Sequence, residues 1–181
     1  RDDRLNVRLR LVGGGQYVQC RADVLHPGPD FTGWIEVQSE GPMPVDQKLL
    51  DALDPKSQRI VRAFRPQGNI SFQGRLQRGA SDPQVHRKLH VTLHDCTIQH
   101  DKFKYPIDKV NGSLQLTDND WLFRDLSGRN DSAYITGEGS WHATPADGNQ
   151  LSLTFRATDV PLAHELRQAL TPGAQRLWTN L

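Results

Sequence analysis

Apolar and polar residues alternate with a period of two along almost the whole chain, and a chain patterned this way folds as a sheet. Leu5, Val7, Leu9 and Leu11 alternate with Asn6, Arg8 and Arg10, and Val18, Cys20, Ala22 and Val24 share the next face. Trp34 to Gln38 turns Ile35 and Val37 inward, and Ile70, Phe72, Gly74 and Leu76 alternate with Ser71, Gln73, Arg75 and Gln77. Leu89, Val91 and Leu93 follow, then Val110, Gly112, Leu114 and Leu116. Trp121 to Leu126, then Ala133, Ile135, Gly137 and Gly139, and finally Leu151, Leu153 and Phe155, bring the total to about nine strands. Past Leu93 the apolar parity changes, with Asp95 and Thr97 on the old inner face and Cys96 and Ile98 on the other, which predicts a bulge near Asp95.

Short breaks separate the strands. Gly13-Gly14-Gly15, Thr117 to Asp120 and Ser127 to Asp131 read as turns. His26 to Asp30, Arg78 to Arg87 and His142 to Asn149 read as loops, and Tyr105-Pro106-Ile107 as an edge or turn feature. Connections this short are hairpins, so the sheet is expected to be mostly antiparallel.

Two stretches have helical periodicity instead, and one repeats the other. In Val45 to Phe64, Leu49, Leu50 and Leu53 fall on one face behind the N-cap candidate Asp46. Asp54-Pro55 then starts a second helix, with Ile60, Val61 and Phe64 on its face, because proline is suited to a first helical position. Adding 117 to these numbers reproduces the pattern from Leu162 to Leu181: Leu49 falls on Leu166, Ala52 on Ala169, Leu53 on Leu170, Pro55 on Pro172, Gln58 on Gln175 and Arg59 on Arg176. The expected organisation is therefore a repeat array. Residues 1–41 end one unit, 42–157 form a central unit of helix pair and curved antiparallel sheet, and 158–181 open the next. The fold class is mainly β (β-rich α+β), a strongly curved and mostly antiparallel sheet with short helix pairs. Such small helices cannot cover the apolar face of so many strands. The face must close on itself, meet a second sheet or hold something apolar.

Composition narrows the function classes. The chain has 22 basic and 21 acidic residues, which leaves no electrostatic footprint for nucleic acid or an anionic membrane surface. No apolar run approaches the ~18 residues of a transmembrane helix. There is neither an initiator Met nor a signal peptide, so a targeting or anchoring segment is expected upstream. Cys20 and Cys96 fit no metal or redox spacing, and whether they pair depends on a proximity that sequence does not fix.

The side chains that could carry chemistry have simpler explanations. His90 and His94 share a strand face but lie roughly 13 Å apart, too far for one metal. His94 and Cys96 are closer but supply too few ligands for a tetrahedral site, so the cluster of His86, His90, His94 and His100 reads as solvated or half-buried strand residues. Asp118, Asp120 and Asp131 are turn residues, and with Glu138 they form no fixed carboxylate pair. Gly13-Gly14-Gly15 leads into a strand, not a helix, so it is no phosphate loop. Gly137-Glu138-Gly139 reads as a bend or a close neighbour in a strand. Trp34, Trp121 and Trp141 read as core or strand-edge residues, with a sugar-stacking platform as the lesser reading. No catalytic, cofactor or metal residues are assigned, and the chain is read as non-enzymatic.

Three segments resemble the AsmA-like and TamB-like repeat proteins of the bacterial cell envelope. They are the strand-to-helix passages MPVDQKLLDAL and VPLAHELRQAL, the exit Phe64-Arg65-Pro66-Gln67-Gly68-Asn69-Ile70, and the run from Val110 to Trp141 with its Leu-Ser-Gly-Arg turn and Gly-x-Gly strand. The resemblance implies a long curved sheet whose apolar inner face handles lipid acyl chains between membranes, in the periplasm, with a membrane anchor outside this stretch. It implies adjacent repeats of the same polypeptide, and other envelope proteins, as partners. The expected lining is Ile70, Phe72, Leu89, Val91, Leu114, Leu116 and Ile135. A spacer or assembly scaffold for outer-membrane biogenesis, and a carbohydrate-binding β module, are the alternatives.

Overall fold

Each alternating segment forms a strand, and every strand pairs antiparallel with its neighbours. In a computed structural model that describes residues 3–53, 55–101, 103–144, 148–161 and 163–178, the elements in chain order are as follows. Strands β1 (Arg4–Gly13), β2 (Gln16–Leu25), β3 (Thr32–Ser39) and β4 (Met43–Pro44) precede helices α1 (Gln47–Asp51) and α2 (Pro55–Ala63). Then come β5 (Gln67–Arg78), β6 (His86–His100), β7 (Phe103–Thr117), β8 (Asp120–Asn130), β9 (Ala133–Thr144) and β10 (Gly148–Thr158). Helices α3 (His164–Ala169) and α4 (Pro172–Trp178) follow. All ten strands join one open sheet in the order β1-β2-β3-β5-β6-β7-β8-β9-β10, with β4 pairing to the start of β5 beyond the end of β3.

The helices start as their sequences dictate. Asp46 is the N-cap of α1 and accepts a hydrogen bond from the Leu49 N–H at 2.9 Å. The equivalent position before α3 is Ala163, which makes no side-chain cap. Asp54, read as the cap of α2, lies outside the described residues, as do Leu162 and Leu181 and the side chains of Ile60 and Leu177.

The bulge anticipated at Asp95 is present and is part of a larger feature. Pairing registers shift between Gln67 and Asn69 of β5, between Leu93 and Cys96 of β6, and around Asn111 of β7; β8 shifts between Phe123 and Leu126. The residues at these breaks have left-handed backbone: Gly68 (φ 120°), Asp95 (48°), Gly112 (138°) and Asp125 (53°). Asp95 and Asn111 tie the break across two strands. The Asp95 N–H donates to Asn111 Oδ1 at 3.2 Å, and Asn111 Nδ2 donates to Asp95 Oδ1 at 2.9 Å. A continuous fault therefore crosses four adjacent strands, and the extra residues fall on β6, β7 and β8, where they shift the parity of the apolar positions.

Three boundaries differ from expectation, and backbone geometry explains each. The Ser127–Asp131 turn shrinks to Asp131 and Ser132, because the Asp125 bulge keeps Leu126 and Gly128 in register with Gly137 and Ile135 and β8 continues to Asn130. Tyr105-Pro106-Ile107 lies inside β7. Its proline is tolerated where the pairing with β6 is already irregular, and its free carbonyl accepts from Asn130 Nδ2 at 2.9 Å. The His142–Asn149 loop is narrower than read, since β9 runs to Thr144 and β10 starts at Gly148.

Below the fault the sheet is covered. Tyr105, Ala133 and Ile135 pack with Ala169 of α3 as a buried cluster, joined by Ile107, Val160 and Leu166. Cys96 and Val110 pair beside it at 0 % and 3 % exposure. Above the fault, no element among the described residues layers over the sheet to make a comparable cluster. The accessible surface is 12317 Å², whereas a closed monomer of this mass would expose about 8,800 Å².

Candidate functional site

The surplus surface has a definite chemistry. Registers align one residue from each strand into a row across the sheet: Leu9, Cys20, Val37, Gly74, Leu89, Leu116, Trp121, Trp141 and Leu151. A parallel row runs through Phe72, Val91, Leu114, Phe123, Gly139 and Leu153. Both rows point to the side from which α3 packs below the fault, so the open face continues the covered core. The two edge strands are the most exposed on this face, while Ala22 and Val24 of β2 are buried. Val91 is 9 % exposed, while Leu9 and Leu11 on β1 are 50 % and 54 % exposed and Leu151 and Phe155 on β10 are 49 % and 53 %. Isolated exposed apolar residues are ordinary, but a contiguous sheet face of them is not.

The structure brings six of the seven expected lining residues together. Ile70, Phe72, Leu89, Val91, Leu114 and Leu116 occupy adjacent cross-strand positions on β5, β6 and β7. Ile135 belongs instead to the helix-covered cluster below the fault. Leu93, Trp121, Phe123 and Trp141 also line the face and were missed. Trp121 and Phe123 have odd parity and Leu126 even, the same break that marks Asp95, and this signal could have identified them. The Gly137 and Gly139 reading as a site of close neighbours matches the geometry: the Phe155 ring and the Leu153 side chain lie where a Cβ would project, at 2.6 and 2.7 Å.

The opposite face is polar and tied by ion pairs. Arg4 meets Asp23 through two nitrogens at 2.8 and 2.6 Å, and Arg10 meets Glu40 in the same forked way while its guanidinium stacks 3.7 Å over the Tyr17 ring. These arginines hold the carboxyls of Asp23 and Glu40 below their ordinary range. Arg75 pairs with Glu36 and lies over Trp34, which places that tryptophan on the polar side, away from Trp121 and Trp141. A shallow depression of about 380 Å³ on this face, between β8 and β10, is lined by Tyr134, Glu138 and Arg156 and contains no converging catalytic set.

The histidines separate. His94 reaches Ser71 Oγ at 2.9 Å on the polar side, whereas Cys96, turned over by the bulge, is buried and donates its thiol to the Asn69 carbonyl at 3.2 Å. Burial raises the Cys96 pKa. Cys20 and Cys96 are both free thiols, and β3 and β5 lie between their strands. Among the described residues no three His, Cys, Asp or Glu side chains could hold a metal ion.

His86 is placed differently. Nε2 lies 2.8 Å from Asp82 in the β5–β6 loop, and Nδ1 lies 3.2 Å from Asp118 in the β7–β8 turn, so one imidazole bridges two loops. These partners raise its pKa above 6.5, and it helps lower both carboxyls below 3.8. A raised histidine contributes stability below its unfolded pKa and loses it as pH rises through the folded value; the lowered carboxylates contribute above 3.8 and lose it as pH falls. His86→Ala is therefore expected to lower Tm most between those limits and to match the parent once pH exceeds the raised His86 value. A thermal melt series against pH reads this directly.

Comparison with models of protein families, with curated proteins and with solved structures finds no match.

Proposed function

We propose that the open face above the fault binds lipid acyl chains, and that the chain is part of an AsmA-like or TamB-like envelope repeat array that carries or holds lipid. The reading rests on one observation: one apolar row runs from edge to edge of the sheet and a second runs beside it from β5 to β10, with no covering layer among the described residues. Each acyl methylene removed from water contributes about 0.8 kcal/mol, so half a dozen per chain supply about 5 kcal/mol without any hydrogen bond. The polar reverse face, with its paired arginines, suits an aqueous compartment on that side. Localisation in the periplasm, and the repeat division at residues 42 and 158, belong to the same proposal.

Native mass spectrometry after incubation with phospholipid vesicles tests it. The expected spectrum contains adducts of phospholipid mass that survive gentle desolvation. A spectrum of bare protein alone would remove the lipid reading and leave the spacer or scaffold role, which the free edges at β1 and β10 favour on their own account.

A further inference from the structure

We propose that the outer edge of β10 is an acceptor for an extended segment patterned like β5, laid antiparallel along it. The inference rests on the repeat part of the reading above and does not need lipid binding.

The offset of 117 seen between the helical stretches also relates strands and their pairing. Leu9 pairs with Cys20 and Leu126 with Gly137; Leu11 pairs with Val18 and Gly128 with Ile135; Gly13 pairs with Gln16 and Asn130 with Ala133. Both members of each second pair lie 117 beyond those of the first. The helix junctions match as well. Gln58 Nε2 donates to the Leu53 carbonyl at 2.9 Å, and Gln175 Nε2 donates to the Leu170 carbonyl at 2.9 Å. The Leu50 N–H donates to the Asp46 carbonyl and the Arg167 N–H to that of Ala163, at 3.1 and 3.2 Å. So β1, β2 and β3 with their helices correspond in order to β8, β9 and β10 with theirs, although the β9–β10 register runs one residue out of step: Cys20 pairs with Val37, whereas Gly137 pairs with Phe155, 118 beyond Val37.

β5 of the first copy has no counterpart among the described residues. β5 follows the first helices and pairs antiparallel with β3, from Gly33 opposite Arg78 to Gln38 opposite Gln73. β10 stands where β3 stands, and the sheet path ends there. The outward N–H and C=O groups of β10 thus face the position that β5 fills in the first copy. Leu151 and Phe155, about half exposed, are the apolar side chains an added strand would flank. β5 itself states the chemistry of the occupant: apolar Ile70, Phe72 and Leu76 alternating with Ser71, Gln73 and Gln77. An extended segment of that pattern gives main-chain hydrogen bonds and continues both apolar rows by one strand.

The test appends residues 65–78 after Leu181, beside a second protein carrying the same residues scrambled. Hydrogen–deuterium exchange of β10 peptides is measured in both and in the parent, with native mass spectrometry for oligomeric state. Outward-facing β10 amides should exchange about tenfold more slowly in the matched chain than in the scrambled one, in a monomer. Equal exchange in the two appended chains overturns the proposal. So does β10 protection already present in a dimeric parent, which would make the occupant the β1 edge of a second copy. Failure here leaves the lipid-adduct experiment unaffected, because that experiment reads the central strands.

Discussion

Gly112→Ala is expected to destabilise the fold by about 3 kcal/mol or more, among the largest effects of any one-methyl change in the chain. Gly112 sits on the fault with φ at 138°, a region closed to side chains. A Cβ there would lie 2.9 Å from the Asp125 carbonyl oxygen and 2.9 Å from the Leu126 Cα, both backbone atoms of β8. Backbone cannot yield without separating β7 from β8, the pair that carries Leu114 against Phe123 and Leu116 against Trp121. Gly15→Ala is the matched comparison. Its φ of 75° is also left-handed, but open space surrounds it, so only the conformational term remains, about 1 kcal/mol. Urea unfolding monitored by tryptophan fluorescence should separate the two variants by a clear shift in midpoint. Equal midpoints would mean that the fault is pliable and does not fix the register of the strands above it.

That comparison also indicates what could be read from sequence. Alternation located the strands, because a half-buried strand has no other way to present one dry face. The cap at Asp46 and the parity change at Asp95 were legible for the same reason, each being a local rule with a local signature. The continuity of the fault was not. Gly68, Asp95, Gly112 and Asp125 lie far apart in sequence, and only pairing registers bring them into line. Where the sheet is covered was hidden too. Ile135 alternates like Val91, yet α3 packs on one and not the other, a fact of tertiary packing. The tryptophans show the limit most plainly, since Trp34 and Trp121 both sit in alternating runs and end on opposite faces, one beneath Arg75 and the other opposite Trp141. The open apolar face was legible only as an excess of strand surface over what four short helices could cover.

Leu116→Glu is expected to cut phospholipid adducts by about tenfold or more while the protein stays folded. Leu116 lies mid-row between Leu89 and Trp121 and is half-buried. A carboxylate there, on a face that holds acyl chains, must either be stripped of water by the lipid or keep the lipid off; the cost of stripping it exceeds what the neighbouring methylenes return. In the lipid-free protein the same carboxylate reaches solvent, so the loss of stability should stay within about 2 kcal/mol, the lost burial of one leucine. This split distinguishes an open face from a closed core, where a buried charge would unfold the chain outright. Glu138→Leu, on the polar side, should leave adducts unchanged. Leu151→Glu, at the half-exposed edge, should weaken them less than Leu116→Glu, because fewer methylenes are desolvated at a strand already facing water. If all three variants retain lipid like the parent, acyl chains are not held by these rows.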